Sequence, residues 1–235
     1  MRYGEVCAGR FLQRPNRFVA HVETPEGVQI CHVKNTGRCR ELLVPGARVY
    51  LERAAGEGRK TPFDLIAVEK GNLLINMDSQ APNKVFGEWA QQGRFRDDLT
   101  LLKPETGWGK SRFDFYWEAG EKRGFVEVKG CTLEENGLAL FPDAPTERGV
   151  KHLEELMEAQ QAGYSCTVCF VLQMKGCRVF RPNELTHPEF ADALRRAEQA
   201  GVHVLAMDCV VTPDSLVIDR PVQVELKTAC RSDIT

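Results

Sequence analysis

The pattern of hydrophobic and polar positions divides the chain into a strand-rich front part and a rear part of mixed character. Up to residue 78, short alternating or apolar runs are separated by turn-forming Pro, Asn and Gly residues. Many short strands with regular turns are typical of a small β-barrel or sandwich. The predicted strands cover residues 6–12, 17–22, 28–33, 48–51, 65–68 and 73–75.

After residue 82 the predicted strands alternate with helices, which is the order of elements in an α/β domain. A sequence that resembles a capping box begins at Thr186, and Gly201 marks the end of the same helix. Strand–helix–strand order implies parallel pairing through right-handed crossovers, so we expect a mixed sheet flanked by helices. The predicted elements are a hairpin within residues 111–130, an extended segment at 132–141, helices at about 146–162 and 186–201, and strands at 164–173 and 203–207.

A polar stretch at residues 78–82 separates the two patterns. It predicts a boundary between a domain of residues 1–81 and a domain of residues 82–235. The predicted fold class is therefore α/β, or α+β over the whole chain, with a small barrel followed by a mixed sheet and its helices.

A short helix is predicted to follow this boundary. Asn83 is expected to cap it, and Val85, Phe86 and Trp89 form its apolar stripe. Glu88 lies next to that stripe, where the ordinary role of a glutamate is that of a solvent-exposed helical residue.

Composition limits the class of protein. The 235 residues are 43% hydrophobic, which is enough for one large or two small cores. No apolar run approaches the roughly 18 residues of a membrane span and the N-terminus lacks a signal-peptide core, so we expect a soluble cytoplasmic protein without a membrane partner. The nine cysteines then act as small buried hydrophobic residues. Cys166 and Cys169 lie three apart on a predicted strand and face opposite sides, which excludes a shared zinc site.

Charge is distributed unevenly along the chain. The formal net charge is −2, but residues 1–70 contain 12 Lys and Arg against 8 Asp and Glu, a net charge of +4. The remaining residues carry a net charge of −6. A basic front part beside an acidic rear part is typical of a binding module attached to a metal-binding catalytic module.

The candidate chemistry lies in the predicted hairpin. Its two strands are joined by Gly120 and Glu121, and a glycine at the first loop position favours a type II′ turn. Pairing outward from this loop places Asp114 directly opposite Glu127. Strand alternation then places Lys129 on the same face, while the opposite face is apolar. Two carboxylates and an ammonium group are therefore expected to converge.

These residue types suit the hydrolysis of a phosphodiester. One or two carboxylates hold Mg²⁺, which neutralises charge on the phosphate and makes a water nucleophilic near neutral pH. A neighbouring Lys129 would orient that water or stabilise charge in the transition state. The alternative is that Asp114 and Glu127 are ordinary exposed residues with Lys129 as their ion-pair partner, because the D…ExK pattern is short.

Longer motifs around the hairpin resemble those of the sugar fermentation stimulation protein A (SfsA) family. The resemblance extends from about Phe11 to about Met207, which is nearly the whole chain. The matching segments are GKSRFDF at residues 109–115, VEVK at 126–129, FPDAPTERG at 141–149, and, upstream, residues 35–38, 41–46 and 82–83.

This resemblance implies an OB-like N-terminal β-barrel followed by a PD-(D/E)xK nuclease-like domain, together with nucleic-acid binding. In such nucleases a glutamate from the first helix often completes the metal site, and Glu88 is the match by position. The expected ligands of Mg²⁺ or Mn²⁺ are therefore Asp114, Glu127 and Glu88.

Basic residues near two turns of the presumed barrel are candidates for contacts with nucleic acid, and Phe11 and Phe18 lie among them as candidates for base stacking. The alternative is that both phenylalanines are core residues and the arginines form a solvated rim. Two further candidates lie on the helix at 146–162, where they form either a phosphate contact or a surface pair. The candidates are Arg10, Arg14 and Arg17 near the first turn, Arg38 and Arg40 near the third, and Arg148 and His152 on the helix.

Two hypotheses of function follow from the sequence. The first is a Mg²⁺- or Mn²⁺-dependent nuclease that cleaves DNA or RNA, with Asp114, Glu127 and Lys129 as its catalytic residues. The second is a regulatory protein that binds DNA on the same fold without cleaving it. The complete Asp–Glu–Lys set favours catalysis, since two carboxylates gain nothing against an anionic ligand in a protein that only binds it.

Overall fold

The six predicted N-terminal strands form a sheet that closes into a barrel. In the computed structural model, which describes residues 1–35, 37–54, 61–109 and 111–227, the strand order is β3-β2-β1-β4-β5-β6. A parallel pairing of β3 with β5 closes the first five strands. The strands are β1 (Val6–Asn16), β2 (Val19–Thr24), β3 (Gly27–Val33), β4 (Arg48–Arg53), β5 (Phe63–Lys70) and β6 (Leu73–Asn76).

Strand alternation fills the barrel. Ala20 and Val22 of β2 and Cys31 and Val33 of β3 are buried, whereas the residues between them face outward. Phe11 of β1 is also in this core at 2% exposure, so it is not available for base stacking.

The rear part contains a mixed sheet, as predicted. The main sheet has the order β15-β14-β12-β9-β8-β7, and β9, β12 and β14 are parallel. A smaller sheet has the order β10-β11-β13-β16. In chain order the elements are α1 (Ala81–Gln91), β7 (Leu101–Trp108), β8 (Ser111–Ala119), β9 (Lys122–Cys131), β10 (Leu133–Glu135), β11 (Leu138–Phe141), α2 (Glu147–Gln161), β12 (Ser165–Leu172), β13 (Val179–Pro182), α3 (Pro188–Gln199), β14 (His203–Thr212), β15 (Ser215–Pro221) and β16 (Gln223–Val224).

Helices cover both faces of the main sheet. The apolar stripe of α1 packs against Phe115 and Val126, whereas α2 and α3 contact each other and the opposite face through residues such as Leu153 and Phe190. None of the helices in the described ranges is long and apolar enough to cross a membrane.

The predicted helix caps are wrong in two places. Asn83 does not cap α1, because the helix already begins at Ala81 and Gln80 is its N-cap residue. The second error concerns α3, whose N-cap is His187 and whose first turn contains a proline, so the capping box at Thr186 does not form. In both helices a proline in the first turn sets the start, since its fixed φ is helical and it has no N–H to satisfy.

The two parts share contacts across their border. Gln173 follows β12, and its side-chain amide donates to Asn76 Oδ1 at 2.9 Å and to the Asp78 carbonyl at 3.0 Å. At the N-terminus, Arg2 forms a β-bridge with Ser215, so the first residues lie against the rear sheet. The predicted domain boundary itself stays a prediction.

A glycine on β9 sets the distance between the two central strands. A Cβ atom on Gly124 would lie 1.8 Å from the Ser165 carbonyl oxygen of β12. We expect Gly124→Ala to lower the free energy of unfolding by about 2 kcal/mol or more, because backbone must move to relieve the overlap. Urea unfolding should show this loss, with Gly107→Ala as the control, since its Cβ would meet nothing closer than 3.9 Å. Equal stability of the two variants would contradict this view of the strand spacing.

Candidate active site

The predicted hairpin forms with the expected register at its loop. Gly120 has a φ of +56°, and Glu118 pairs with Arg123 and Tyr116 with Phe125. The regular ladder ends at the pair Phe115–Val126, one step before Asp114 and Glu127. The two carboxylates therefore meet at the end of the ladder and not as a regular cross-strand pair.

Glu127 is the most deeply buried member of the site, with a side chain 3% exposed. Its Oε1 atom accepts a hydrogen bond from Lys129 Nζ at 2.6 Å and another from His152 Nδ1. Its Oε2 atom is buried and has no hydrogen-bond partner among the described residues. An unpaired buried carboxylate oxygen is costly, so this atom marks the position where a cation would be stabilised most.

Opposing effects determine the charge state of Glu127. Burial by itself raises the pKa of the carboxyl group, but the hydrogen bond from His152 and the positive charge of Lys129 outweigh burial and leave the pKa below its usual range. Glu127 is therefore ionised near neutral pH in spite of its position in the interior.

Asp114 is held by two hydrogen bonds. Asn83 Nδ2 of α1 donates to Oδ1 at 2.7 Å, and the Val128 amide of β9 donates to Oδ2 at 2.8 Å. Burial raises the pKa of Asp114, and the charge of Glu127 raises it further against these two hydrogen bonds. The carboxylates are thus close enough to repel each other, which is the electrostatic condition that a divalent cation relieves.

His152 connects the site to its surroundings. The surface pair, one of the two predicted alternatives, is wrong for His152, which is buried against β9. Its Nε2 atom accepts from Arg148 Nε at 3.2 Å while Nδ1 donates to Glu127. When the imidazole is neutral, these two contacts require its proton on Nδ1. The i,i+4 spacing with Arg148 was visible in the sequence, but the contact with Glu127 was not.

A basic cleft of about 520 Å³ adjoins His152. Arg112, Arg148 and Lys151 line it together with Ser111. Of these, Arg112 and Lys151 were not among the residues singled out from the sequence. Three cations beside two carboxylates form a surface on which a phosphate chain can approach the site.

Glu88 is not brought to the carboxylate pair. Its Oε2 atom lies 2.6 Å from the Met1 amine, and its side chain is 42% exposed. Within the part of the chain that the structure describes, no group of three or more His, Cys, Asp or Glu side chains is arranged to hold a metal ion. Of the three predicted metal ligands, Asp114 and Glu127 remain as candidates.

The barrel arginines divide into different roles. The guanidinium group of Arg14 binds backbone: it donates hydrogen bonds to the carbonyls of Arg17, Asn35, Gly37 and Arg38 at 2.6–3.0 Å. Arg14 therefore joins the two turns that carry the other arginines. The turn at residues 35–38, which carries Arg38, includes Thr36, which lies outside the described residues.

The remaining arginines face accessible space. Arg17, Arg38 and Arg40 line a pocket of about 380 Å³ that borders Arg14. Arg17 also covers the ring of Phe18 at 4.8 Å, and this ring is 44% exposed, as a stacking surface requires. Arg10 lies apart from them, on another barrel pocket with Arg48.

Comparison with known families gives two matches that together span most of the chain. The model described as "SfsA N-terminal OB domain" matches residues 12–77. The model described as "Sugar fermentation stimulation protein RE domain" matches residues 80–215. The first match covers most of the closed barrel and the second begins just before α1.

Individual proteins give the same result. A sugar fermentation stimulation protein homolog of Desulfitobacterium hafniense is 59% identical, over 92% of this chain and 94% of its own. A homolog of Ruminiclostridium cellulolyticum is 53% identical, over 96% of this chain and 100% of its own. The solved structure described as "The structure of Pyrococcus Furiosus SfsA in complex with Ca2+" superimposes with a TM-score of 0.87 at 28% identity, covering 96% of this chain and 98% of that one.

The contacts of Arg14 generate a prediction about stability. Replacing Arg14 by Met should lower the free energy of unfolding by about 2 kcal/mol, because carbonyl oxygens lose a charged donor. Arg17→Met, which removes the same charge from an exposed position, should change it by no more than about 0.5 kcal/mol. Urea unfolding of both variants checks this, and equal losses would show that Arg14 is not a structural clamp.

Proposed function

The chain belongs to the sugar fermentation stimulation protein family, and we propose that it binds nucleic acid and hydrolyses phosphodiester bonds at the site formed by Asp114, Glu127 and Lys129. The substrate is DNA or RNA, and the cofactor is Mg²⁺ or Mn²⁺. The observation that carries the proposal is the buried Oε2 atom of Glu127, which has no partner among the described residues and lies near the half-buried carboxylate of Asp114.

The residues present fit a divalent cation. Mg²⁺ is usually bound through one or two carboxylates, several waters and substrate phosphates, so Asp114 and Glu127 suffice without Glu88. A relative whose solved structure is described as a complex with Ca²⁺ supports a site for hard divalent cations in this family. When bound, such an ion offsets phosphate charge and lowers the pKa of a coordinated water.

The surrounding side chains hold the two carboxylates in place. Asn83 and the Val128 amide orient Asp114, while His152 binds Oε1 of Glu127 and no described residue binds Oε2. Lys129 is 16% exposed, so its ammonium group is accessible at the same position. Its role is to orient the attacking water or to stabilise the charge that develops on the phosphate.

Substrate binding involves both parts of the chain. The cleft cations Arg112, Arg148 and Lys151 lie next to the site and contact the strand near the scissile phosphate. The barrel arginines Arg17, Arg38 and Arg40 contact it farther away, with Phe18 as an exposed stacking ring.

The proposed chemistry predicts a defined set of activities. Wild-type protein should cleave labelled DNA or RNA with Mg²⁺ or Mn²⁺ and not with EDTA. Asp114→Asn and Glu127→Gln should abolish cleavage, and Lys129→Met should slow the single-turnover step on the order of 10²-fold. Glu158→Gln, the same chemical change on the exposed face of α2, should leave the rate unchanged.

Two outcomes would contradict the proposed cleavage or the proposed role of Lys129. Binding without cleavage by the wild-type protein, with any divalent cation, would favour the regulatory DNA-binding alternative. Unchanged single-turnover cleavage by Lys129→Met would make Lys129 only the structural ion-pair partner of Glu127.

The cleft makes a separate prediction about salt. Binding measured in EDTA should weaken steeply with salt, because each phosphate contact releases counterions. Replacing Arg112 and Lys151 together by Gln should reduce the slope of log affinity against log salt by about 0.7–0.9 per lost contact. Arg196→Gln on α3 is the control, since it removes an exposed charge outside the cleft. An unchanged slope in the double variant would exclude the cleft as a phosphate-binding surface.

A further inference from the structure

A groove of about 330 Å³ lies between the barrel and the rear part and is not used by the proposed cleavage chemistry. Asn35 and Gly37 line it from the barrel side, and the loop at residues 141–146 lines it from the rear. It borders the site directly, because its wall includes Gly130, the neighbour of Lys129, and Thr146, the N-cap of α2.

The lining of this groove is unsuited to phosphate. Among the described residues that form its wall there is no Lys or Arg, and the polar groups are amides, hydroxyls and one carboxylate. The carboxylate is Asp143, which has no hydrogen-bond or ion-pair partner within the described ranges. Phe141 adds part of an aromatic surface. The side-chain amides of Asn35 and Gln173 already bind protein groups, so the carboxylate of Asp143 is the main acceptor that the groove offers a ligand. A carboxylate beside an aromatic ring matches an uncharged planar ligand with N–H donors, which is the chemistry of a nucleobase edge.

Two cationic pockets adjoin the groove. The pocket of Arg17, Arg38 and Arg40 shares Gly37 with it. The basic cleft is reached from the groove along α2, which leads from Thr146 to Arg148. A polar surface with one carboxylate therefore adjoins two cationic surfaces, which matches a nucleoside and its neighbouring phosphates along one strand.

We propose that the groove holds one unstacked nucleobase of a single-stranded substrate, next to the scissile phosphate. This inference rests on the proposed function. A base in a duplex would have to leave its stack to enter, so an unpaired strand is preferred. Guanine fits Asp143 best, because its N1–H and N2–H groups are adjacent donors for the two oxygens of a carboxylate.

The test compares strands with and without bases. Full-length protein in EDTA is titrated with a fluorescent single-stranded DNA and with an abasic strand of the same backbone and length. We expect at least about tenfold weaker binding of the abasic strand and weaker binding of the duplex, since contacts with the base are lost. Equal affinity for the base-containing and abasic strands, or for the duplex, would overturn the inference.

Two variants locate the effect. Ala144→Trp fills the groove and should lower affinity for the base-containing strand to that for the abasic strand, whose own affinity stays unchanged. Asp143→Asn, which keeps the shape, should remove a preference for oligo-dG over oligo-dT, whereas the exposed Glu135→Gln should keep it. If Ala144→Trp does not fold, Asp143→Asn carries the test, and an unchanged dG preference in it refutes the role of Asp143.

The outcome separates the two proposals. Base-dependent binding in EDTA by a protein that cleaves nothing would support the nucleobase groove and refute the nuclease function. Cleavage by a protein that binds both strands equally would refute the groove alone.

Discussion

The carboxylate of Glu127 lies in the interior with one oxygen held by His152 and Lys129 and the other without a partner in the described chain. An ionised carboxylate stays in such a position only when donors compensate its lost hydration. The donors come from two elements, β9 itself and α2. The packing of α2 on the sheet, through Leu153 and Leu156, therefore also positions the His152 donor that, with Lys129, keeps Glu127 charged.

The same constraint explains how the two parts of the chain cooperate. Asn83 on α1 orients Asp114, and α1 follows directly on the border segment where Gln173 binds Asn76 and Asp78. The contacts across the border therefore connect the barrel with the helix that holds Asp114, and the groove between the two parts lies beside Lys129. Within the barrel, Arg14 connects the turn that carries Arg17 with the turn that carries Arg38.

Local structure is predictable from the sequence where it depends on residues that are close together in the chain. The six barrel strands, the loop at Gly120 and the helix capped by Thr146 follow from alternation, turn chemistry and capping. The contacts that complete the site were not predictable, since they join residues far apart in sequence. Asn83 has the residue type of a helix cap, and its actual partner Asp114 is 31 residues away. The sequence leaves His152 as either a phosphate contact or part of a surface pair, because its partner Glu127 is 25 residues away. Strands β7 and β15, which form the edges of the main sheet, carry weaker patterns and were also missed.

A crystal structure with Mn²⁺ shows whether Asp114 and Glu127 share a divalent cation. Anomalous difference density collected at the manganese edge locates the ion without reference to activity. If the two carboxylates share a cation, the density has a peak within about 2.5 Å of Glu127 Oε2 and of an Asp114 oxygen. This peak should be absent from crystals of Glu127→Gln prepared in the same way. If crystals saturated with Mn²⁺ show no peak at Asp114 and Glu127, or a peak only elsewhere on the protein, the two carboxylates do not share a cation.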